Sequence, residues 1–357
     1  VPNYFSFATF WRVNSDMGIL MRPVLVTGGA GYVGSHACRM LAQSGYLPIT
    51  LDNLSTGHRW AVKWGPLEIG DIADSTHVAS LIERYKPVAV MHFAALSLVG
   101  ESGAQPARYY GNNVAGTLSL LQAMQAGGVN RFIFSSTCAT YGEPESCPIA
   151  EDTAQQPINT YGRSKLMVET ILKDFAAAYG LRATALRYFN AAGAADADGI
   201  GEAHQPETHL IPLVIAAARG ERGPVQIFGT DYPTADGTCE RDYVHVNDLA
   251  GAHVRAVEFL AGQEGFHAFN LGTGRPYSVR QVISAVAAEA GHAVPQQLAP
   301  RRVGDPPALY ADPRRAREVL GWSATQSALK EIVASAWRWH AAAALTANAN
   351  AEVRLAV

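Results

Sequence analysis

The stretch Val24-Leu25-Val26-Thr27-Gly28-Gly29-Ala30-Gly31-Tyr32-Val33-Gly34-Ser35-His36 decides the fold. Its apolar opening reads as a strand buried on both faces. Gly28, Gly31 and Gly34 then recur at three-residue spacing where a helix begins. Glycines there permit a tight turn, close backbone approach to a pyrophosphate, and close packing of helix on strand. Amides at the helix N-terminus face the anion. An ordinary glycine-rich turn would look the same, so the motif needs company. Asp52 supplies it, closing the second expected strand eighteen residues past Gly34. A carboxylate there accepts from both ribose hydroxyls and repels a 2′-phosphate, which favours NAD over NADP. Asp71-Ile72 closes the third strand, where an adenine can rest.

Outward from this stretch, strands are expected at 23–27, 48–52, 67–69, 88–94, 131–136, 182–188 and 267–271. Helices are expected at 32–44, 75–85, 105–127 and 161–179. Alternation of this kind predicts an α/β fold, a doubly wound parallel sheet of Rossmann type. Met167, Val168, Ile171, Leu172, Phe175 and Tyr179 form a helical stripe ending at Gly180, which reads as core or subunit interface. After Asn190 the texture turns irregular, with a short helix at 211–219, a Gly/Pro/Asp-rich stretch and a helix at 247–260. The expected division is an extension (1–20), an NAD-binding domain (21–190, returning to the sheet near 244–275), a smaller, irregular α/β substrate domain (191–340) and a frayed alanine-rich tail (341–357).

The chain has 357 residues, 48% apolar and 17% charged, enough for a sizeable core. A net charge of −3 argues against nucleic acid and acidic membranes as partners. Cys38, Cys138, Cys147 and Cys239 form no C-x-x-C pair, so reduced thiols in a cytoplasm are expected. No run approaches the ~18 apolar residues of a membrane span. The opening segment lacks the basic region of a signal peptide. None of the eleven histidines falls at a metal-ligand spacing, and no metal is assigned; His36, His92, His245 and His253 read as structural.

Tyr161 and Lys165 stand four apart, on one face of a helix. By itself such a pair is usually only surface. Upstream, however, a strand delivers Ser135, Ser136 and Thr137 at its carboxyl end. A hydroxyl, a phenol and an ammonium form an acid–base constellation. A free phenol titrates near ~10, and a nearby ammonium and a positive nicotinamide ring lower that value. Arg241, Arg301 and Arg302 lie in otherwise neutral segments, and a diphosphate calls for one or two such forks.

These residues resemble the extended short-chain dehydrogenase/reductase family and, within it, the UDP-glucose (UDP-galactose) 4-epimerase branch. The resemblance runs from about Arg22 to about Trp339. It is carried by VLVTGGAGYVGSH, LDNLSTG, GDI, HFAAL, NNVAGT, FSSTCATYG, YGRSKLMVE, LRYFNAAGA, IFGTDYPTADGTCERDYVHVNDLA, FNLGTGRPYSV and APRRVGDPPALYAD. It implies NAD contacts from Tyr32, Val33, Asp52, Asn53, Leu54, Ser55, Thr56, Gly57, Asp71 and Ile72. Phe93, Ala94, Ala95, Leu96, Ser97, Asn112, Lys165 and Phe189 complete that set. It implies Thr137, Tyr161 and Lys165 as catalytic, with Lys165 holding the nicotinamide ribose. Thr137 and Tyr161 also meet the substrate, together with Asn190, His209, Leu210, Gln226, Ile227, Phe228, Arg241, Tyr243, Arg302, Asp305 and Leu309.

The implied activity is reversible C4 epimerisation of UDP-galactose and UDP-glucose by a homodimer paired through helices 105–127 and 161–179. Three positions depart from the pattern. Thr137 stands where serine is frequent, Ser97 where lysine is frequent, and Leu309 where bulk influences acceptance of N-acetylated sugars. A 4,6-dehydratase would need an Asp-Glu pair where Cys138-Ala139 stands. A UDP-pentose (xylose/arabinose) 4-epimerase stays open, since those sugars differ only at C5. A non-catalytic NAD-sensing scaffold would be expected to lack the tyrosine or the lysine.

Overall fold

The computed structural model describes residues 21–302 and 304–355; the extension expected at 1–20 lies outside them. Seven parallel strands form one sheet: β1 (Arg22–Thr27), β2 (Tyr46–Asp52), β3 (Leu67–Ile69), β4 (Ala89–His92), β5 (Arg131–Thr137), β6 (Arg182–Tyr188) and β11 (Phe266–Leu271). Their order is β11-β6-β5-β4-β1-β2-β3. Strand order reverses between β1 and β4, and a doubly wound sheet opens its ligand crevice at such a point, outside the carboxyl ends of the strands.

Side chains alternate across the sheet, as a period of two requires. Val24, Val26 and Ile133 join a buried cluster on one face, with Ala37 and Leu41 of the helix Tyr32–Gln43. Leu25, Phe132 and Phe134 join a cluster on the other, with Val168 and Leu172 of the helix Thr160–Tyr179. Each such side chain, fully buried, contributes about 1.5–3 kcal/mol. Of the stripe expected on that last helix, Met167 and Tyr179 are exposed.

The remaining strands are short: β7 (Asn190–Ala192), β8 (Val225–Phe228), β9 (Glu240–Arg241), β10 (Tyr243–His245), β12 (Tyr277–Ser278), β13 (Gln296–Ala299) and β14 (Ala308–Leu309). β7 pairs with β10, β8 with β13, and β9 with both β12 and β14. A third cluster, including Ile211, Val214, Val282, Val286 and Ile332, gathers the helices Leu210–Ala218, Val279–Ala290 and Leu329–Leu355.

The helix expected over 105–127 runs without a gap through Pro106–Tyr109, a π-helical Tyr110–Gly116 and Thr117–Ala126, with a separate short helix, Val99–Ala104, ahead of it. Pro106 has no amide hydrogen to continue an earlier turn, and so begins a new one. The tail expected to fray continues the last helix to Leu355. Alanine, frequent in that tail, has the highest helix propensity of any residue.

Candidate active site

The glycine turn after β1 is built as its sequence requires. Gly28 has φ +74°, and a Cβ there would lie 2.6 Å from the Ala94 amide nitrogen. A Cβ on Gly34 would lie 2.2 Å from the Gly28 carbonyl oxygen. The helix Tyr32–Gln43 therefore starts against the strand end, with Gly31 as N-cap and no side chain capping its first amides. That is a cradle for a pyrophosphate. Asp52 is buried at the end of β2, its oxygens accepting from the amides of Ala30 (3.0 Å) and Leu54 (2.8 Å). Burial raises its pKa, the two amides opposing. Gly57 is close enough that a Cβ would come within 2.8 Å of the Asp52 carboxylate. Asn53 donates to Asp71 at 3.0 Å and accepts from Ser55 N–H at 3.0 Å, while Thr56 joins Gly31 and Tyr32 around a small cleft. Ile72 is buried. Val33 sits in the helix's first turn.

The segment Phe93 to Ser97 leaves β4 at the next strand end. Phe93 N–H donates to Thr27 O at 2.8 Å. Leu96 is held on both backbone polar groups by Asn113, which also donates to Ser164 Oγ at 3.0 Å. Asn112, the expected contact, donates to Asn113 Oδ1 at 2.9 Å. Sequence reading passed over Asn113; the doubled asparagine was the available signal.

At the end of β5 the three candidate hydroxyls separate. Ser135 Oγ meets Tyr188 at 2.7 Å, and Ser136 Oγ donates to Glu169 at 2.6 Å. Thr137 is left, its hydroxyl accepting from Ala139 N–H at 3.1 Å and close enough to Tyr161 to oppose the rise of its pKa. Lys165 is buried, 5.9 Å from the centre of the Tyr161 ring, and donates to Ser135 O at 2.8 Å.

The expected electrostatics need correction. Burial raises the Tyr161 pKa, with Tyr188 adding to the rise and Thr137 opposing it. Burial also pushes Lys165 down to about 7, Glu169 opposing. Desolvation is the largest cause of both shifts. Cys138, next to Thr137, is pushed up to about 12 by burial and offers no acid.

A cavity of about 330 Å³ opens beyond, lined by Asn190, His209, Leu210, Gln226, Phe228, Arg241, Tyr243, Arg302 and Asp305. Glu202, Thr208, Arg222 and Cys239 also line it and were not anticipated. Arg241 pairs with Asp305 at 3.1 Å, and the Arg302 guanidinium lies 3.9 Å over the Phe228 ring. Arg301 instead pairs with Asp231 at 2.7 Å. Four expected substrate contacts are not among the residues lining the cavity: Thr137 and Tyr161, described above, and Ile227 and Leu309. Ile227 is buried in the third core cluster, because strand alternation turns it away from Gln226 and Phe228. Leu309 packs with Phe189, Cys138 and Cys147.

Folding also brings together four residues that no spacing advertised: Glu202, His204, Glu207 and His209. The Nδ1 of His209 lies 2.8 Å from Glu202 and 3.0 Å from Glu207. Against burial, which lowers both imidazoles, these carboxylates hold His204 up at about 9 and His209 at about 10. The four cysteines are unpaired.

Residues 24–272 match the model of the NAD dependent epimerase/dehydratase family. A UDP-glucose 4-epimerase of Rhizobium leguminosarum bv. trifolii is 53% identical over 318 residues, 89% of this chain and 97% of the relative. The solved UDP-glucose 4-epimerase from Brucella ovis in complex with NAD is 53% identical, with a TM-score of 0.87 over 88% of this chain and 97% of that one. The enzyme from Stenotrophomonas maltophila, with bound NAD and formylated UDP-arabinopyranose, is 41% identical, with a TM-score of 0.88 over 91% of this chain and 99% of that one. A match over most of its length, to relatives it covers almost entirely, makes this chain a member of the NAD dependent epimerase/dehydratase family, on its UDP-glucose 4-epimerase branch.

Proposed function

We propose that this protein interconverts UDP-galactose and UDP-glucose by inverting C4 through a 4-keto intermediate. The observation that carries this reading is the meeting of Thr137, at the end of β5, with Tyr161, while buried Lys165 lies 5.9 Å from the centre of the Tyr161 ring. Tyr161 takes the proton of the C4 hydroxyl and returns it, and the Thr137 hydroxyl shares it. NAD, when bound, would supply a reversible hydride acceptor for the C4 carbon and a positive nicotinamide charge favouring the phenolate. The glycine turn, Asp52, the 93–97 segment, Asn112, Lys165 and Phe189 would hold it, and the tight approach at Gly28 and Gly34 fits a pyrophosphate there. Arg241 and Arg302 anchor the diphosphate, leaving the sugar free to turn between half-reactions. Binding energy from the nucleotide then holds a reactive intermediate that the sugar alone could not.

A 4,6-elimination is disfavoured, because Cys138 and Ala139 supply no acid–base pair. The domain division at about 190, with a return near 244–275, draws support from the separate third core cluster. A homodimer draws support from Met167 and Tyr179, apolar and exposed on one helix. No helix among the described residues is long and apolar enough to cross a membrane, and four unpaired cysteines suit a reducing cytoplasm. The test is to incubate the purified protein with UDP-galactose and no added NAD. UDP-glucose should form without net change in NADH absorbance; no conversion, with or without added NAD, would reject the reading.

A further inference from the structure

The cluster of Glu202, His204, Glu207 and His209 has no role in proton or hydride transfer. It lies between the first turn of the helix Tyr32–Gln43 and the wall of the cavity. The Tyr32 ring meets His204 edge-on at 6.1 Å, and Glu202 and His209 both line the cavity.

We propose that these four side chains form a binding site for one divalent cation of the zinc class. Each residue turns one ligand atom inward, and all four atoms lie within 4.8 Å of one another. The four imidazole-to-carboxylate separations are 2.8, 3.0, 3.1 and 3.7 Å. A tetrahedron with metal–nitrogen and metal–oxygen bonds near 2.0–2.1 Å has edges of roughly 3.3 Å, so the cage is close to the right size. Both histidines present Nδ1, so the pair converges on one point. The donor set of two imidazoles and two carboxylates is one that zinc accepts. With the imidazoles neutral, the two carboxylates balance the charge of one divalent ion. Entry is open on the histidine side, where His209 is 45% exposed, while Glu202 is 6% exposed.

A separate feature lies near the cluster. His340, on the last helix, has a buried Nε2 with no hydrogen-bond partner and lies within the field of Glu202 and Glu207. Trp339, beside it, donates to Glu202 O at 3.0 Å. A cation here would tie the irregular segment after β7 to the NAD-side helix on one flank and the last helix on the other.

The test uses the full chain without a polyhistidine tag, dialysed against chelator and titrated with zinc chloride at pH 8. One equivalent should bind per chain, with a rise in Tm from ligand-linked stabilisation. Cobalt substitution should give visible bands of a tetrahedral site with no thiolate charge-transfer band, which separates this site from the cysteines. His204→Gln should weaken zinc at least tenfold while its circular dichroism is kept; if that variant misfolds, Glu207→Gln serves. Absence of saturable uptake, uptake unchanged in a folded variant, or a thiolate band in the cobalt form overturns the proposal. Because the readout is metal binding, these outcomes are independent of the epimerase assay.

Discussion

Asn113 engages both backbone polar groups of Leu96: Leu96 N–H donates to Asn113 Oδ1 at 2.9 Å, and Asn113 Nδ2 donates to Leu96 O at 3.0 Å. Asn113 is buried in the π-helical turn, and Leu96 lies in the segment that leaves β4 toward the crevice. A side chain thus replaces the ladder partners that the chain gives up after His92.

Asn113→Ala should leave Leu96 with two unanswered backbone groups, each costing about 1–3 kcal/mol if still buried. The variant should lose Tm and carry less NAD per chain after purification. Asn113→Asp, which keeps the acceptor and loses the donor, should fall between the two. Melting curves and nucleotide content of the denatured protein give the answer, and wild-type values for both would refute this role.

Tyr161→Phe should fold and bind UDP with little change but lose roughly 10²–10⁴ in kcat, the usual worth of a positioned acid–base group. Loss in kcat without a matching rise in KM is the signature of a transition-state role. Near-normal turnover would remove Tyr161 from the chemistry.

Bound nucleotide should be NAD(H) rather than NADP(H), since the buried Asp52 carboxylate opposes a 2′-phosphate. NADP should bind the nucleotide-free protein at least ~10-fold more weakly, a difference of about 1.4 kcal/mol. Equal affinities would show that another group, not Asp52, faces the 2′ position.

Acid should destabilise the fold early. Burial, with Lys165 adding, pushes His92 down to about 3; burial likewise lowers His36 to about 3, with His245 and Arg39 adding, and His253 to about 4. Unfolded imidazoles take protons near pH ~6.5 that the native ones refuse. Stability from these three is therefore full above pH ~6.5 and is lost as pH falls toward their native values, at up to ~1.4 kcal/mol per unit per group. The raised Asp52 and Asp242 pKa values act in the opposite direction from the ordinary value of 3.8 upward, inside that window. Urea midpoints at pH 7 and pH 5 measure the slope, and equal midpoints would contradict it.

Leu309→Ser should raise kcat/KM for UDP-N-acetylgalactosamine relative to UDP-galactose. The native leucine lies outside the 330 Å³ cavity but packs beside Phe189 and Cys138, next to Thr137, and overpacking there by an acetamido group costs on the order of 1–3 kcal/mol. An unchanged ratio would assign discrimination to other residues.

Periodicity and turn chemistry are local properties, and they carried the fold. An apolar run into three spaced glycines, repeated strand–helix alternation, and a carboxylate at a strand end are written within short windows. The sheet follows from them because parallel strands joined by helices have few ways to pack. Tyr161, Lys165 and Thr137 were legible for the same reason, each lying at a helix start or strand end.

What the tertiary structure decided depends on neighbours far apart in the chain. Which of three adjacent hydroxyls meets Tyr161 was settled by Tyr188 and Glu169 engaging the other two. The pKa shifts of Tyr161 and Lys165 come chiefly from desolvation, a property of the packed molecule rather than of four-residue spacing. Ile227 was turned from the cavity by strand alternation once β8 paired with β13. Glu202, His204, Glu207 and His209 occupy an irregular loop with no periodicity to read; only folding that loop against Tyr32 and Trp339 makes their side chains converge.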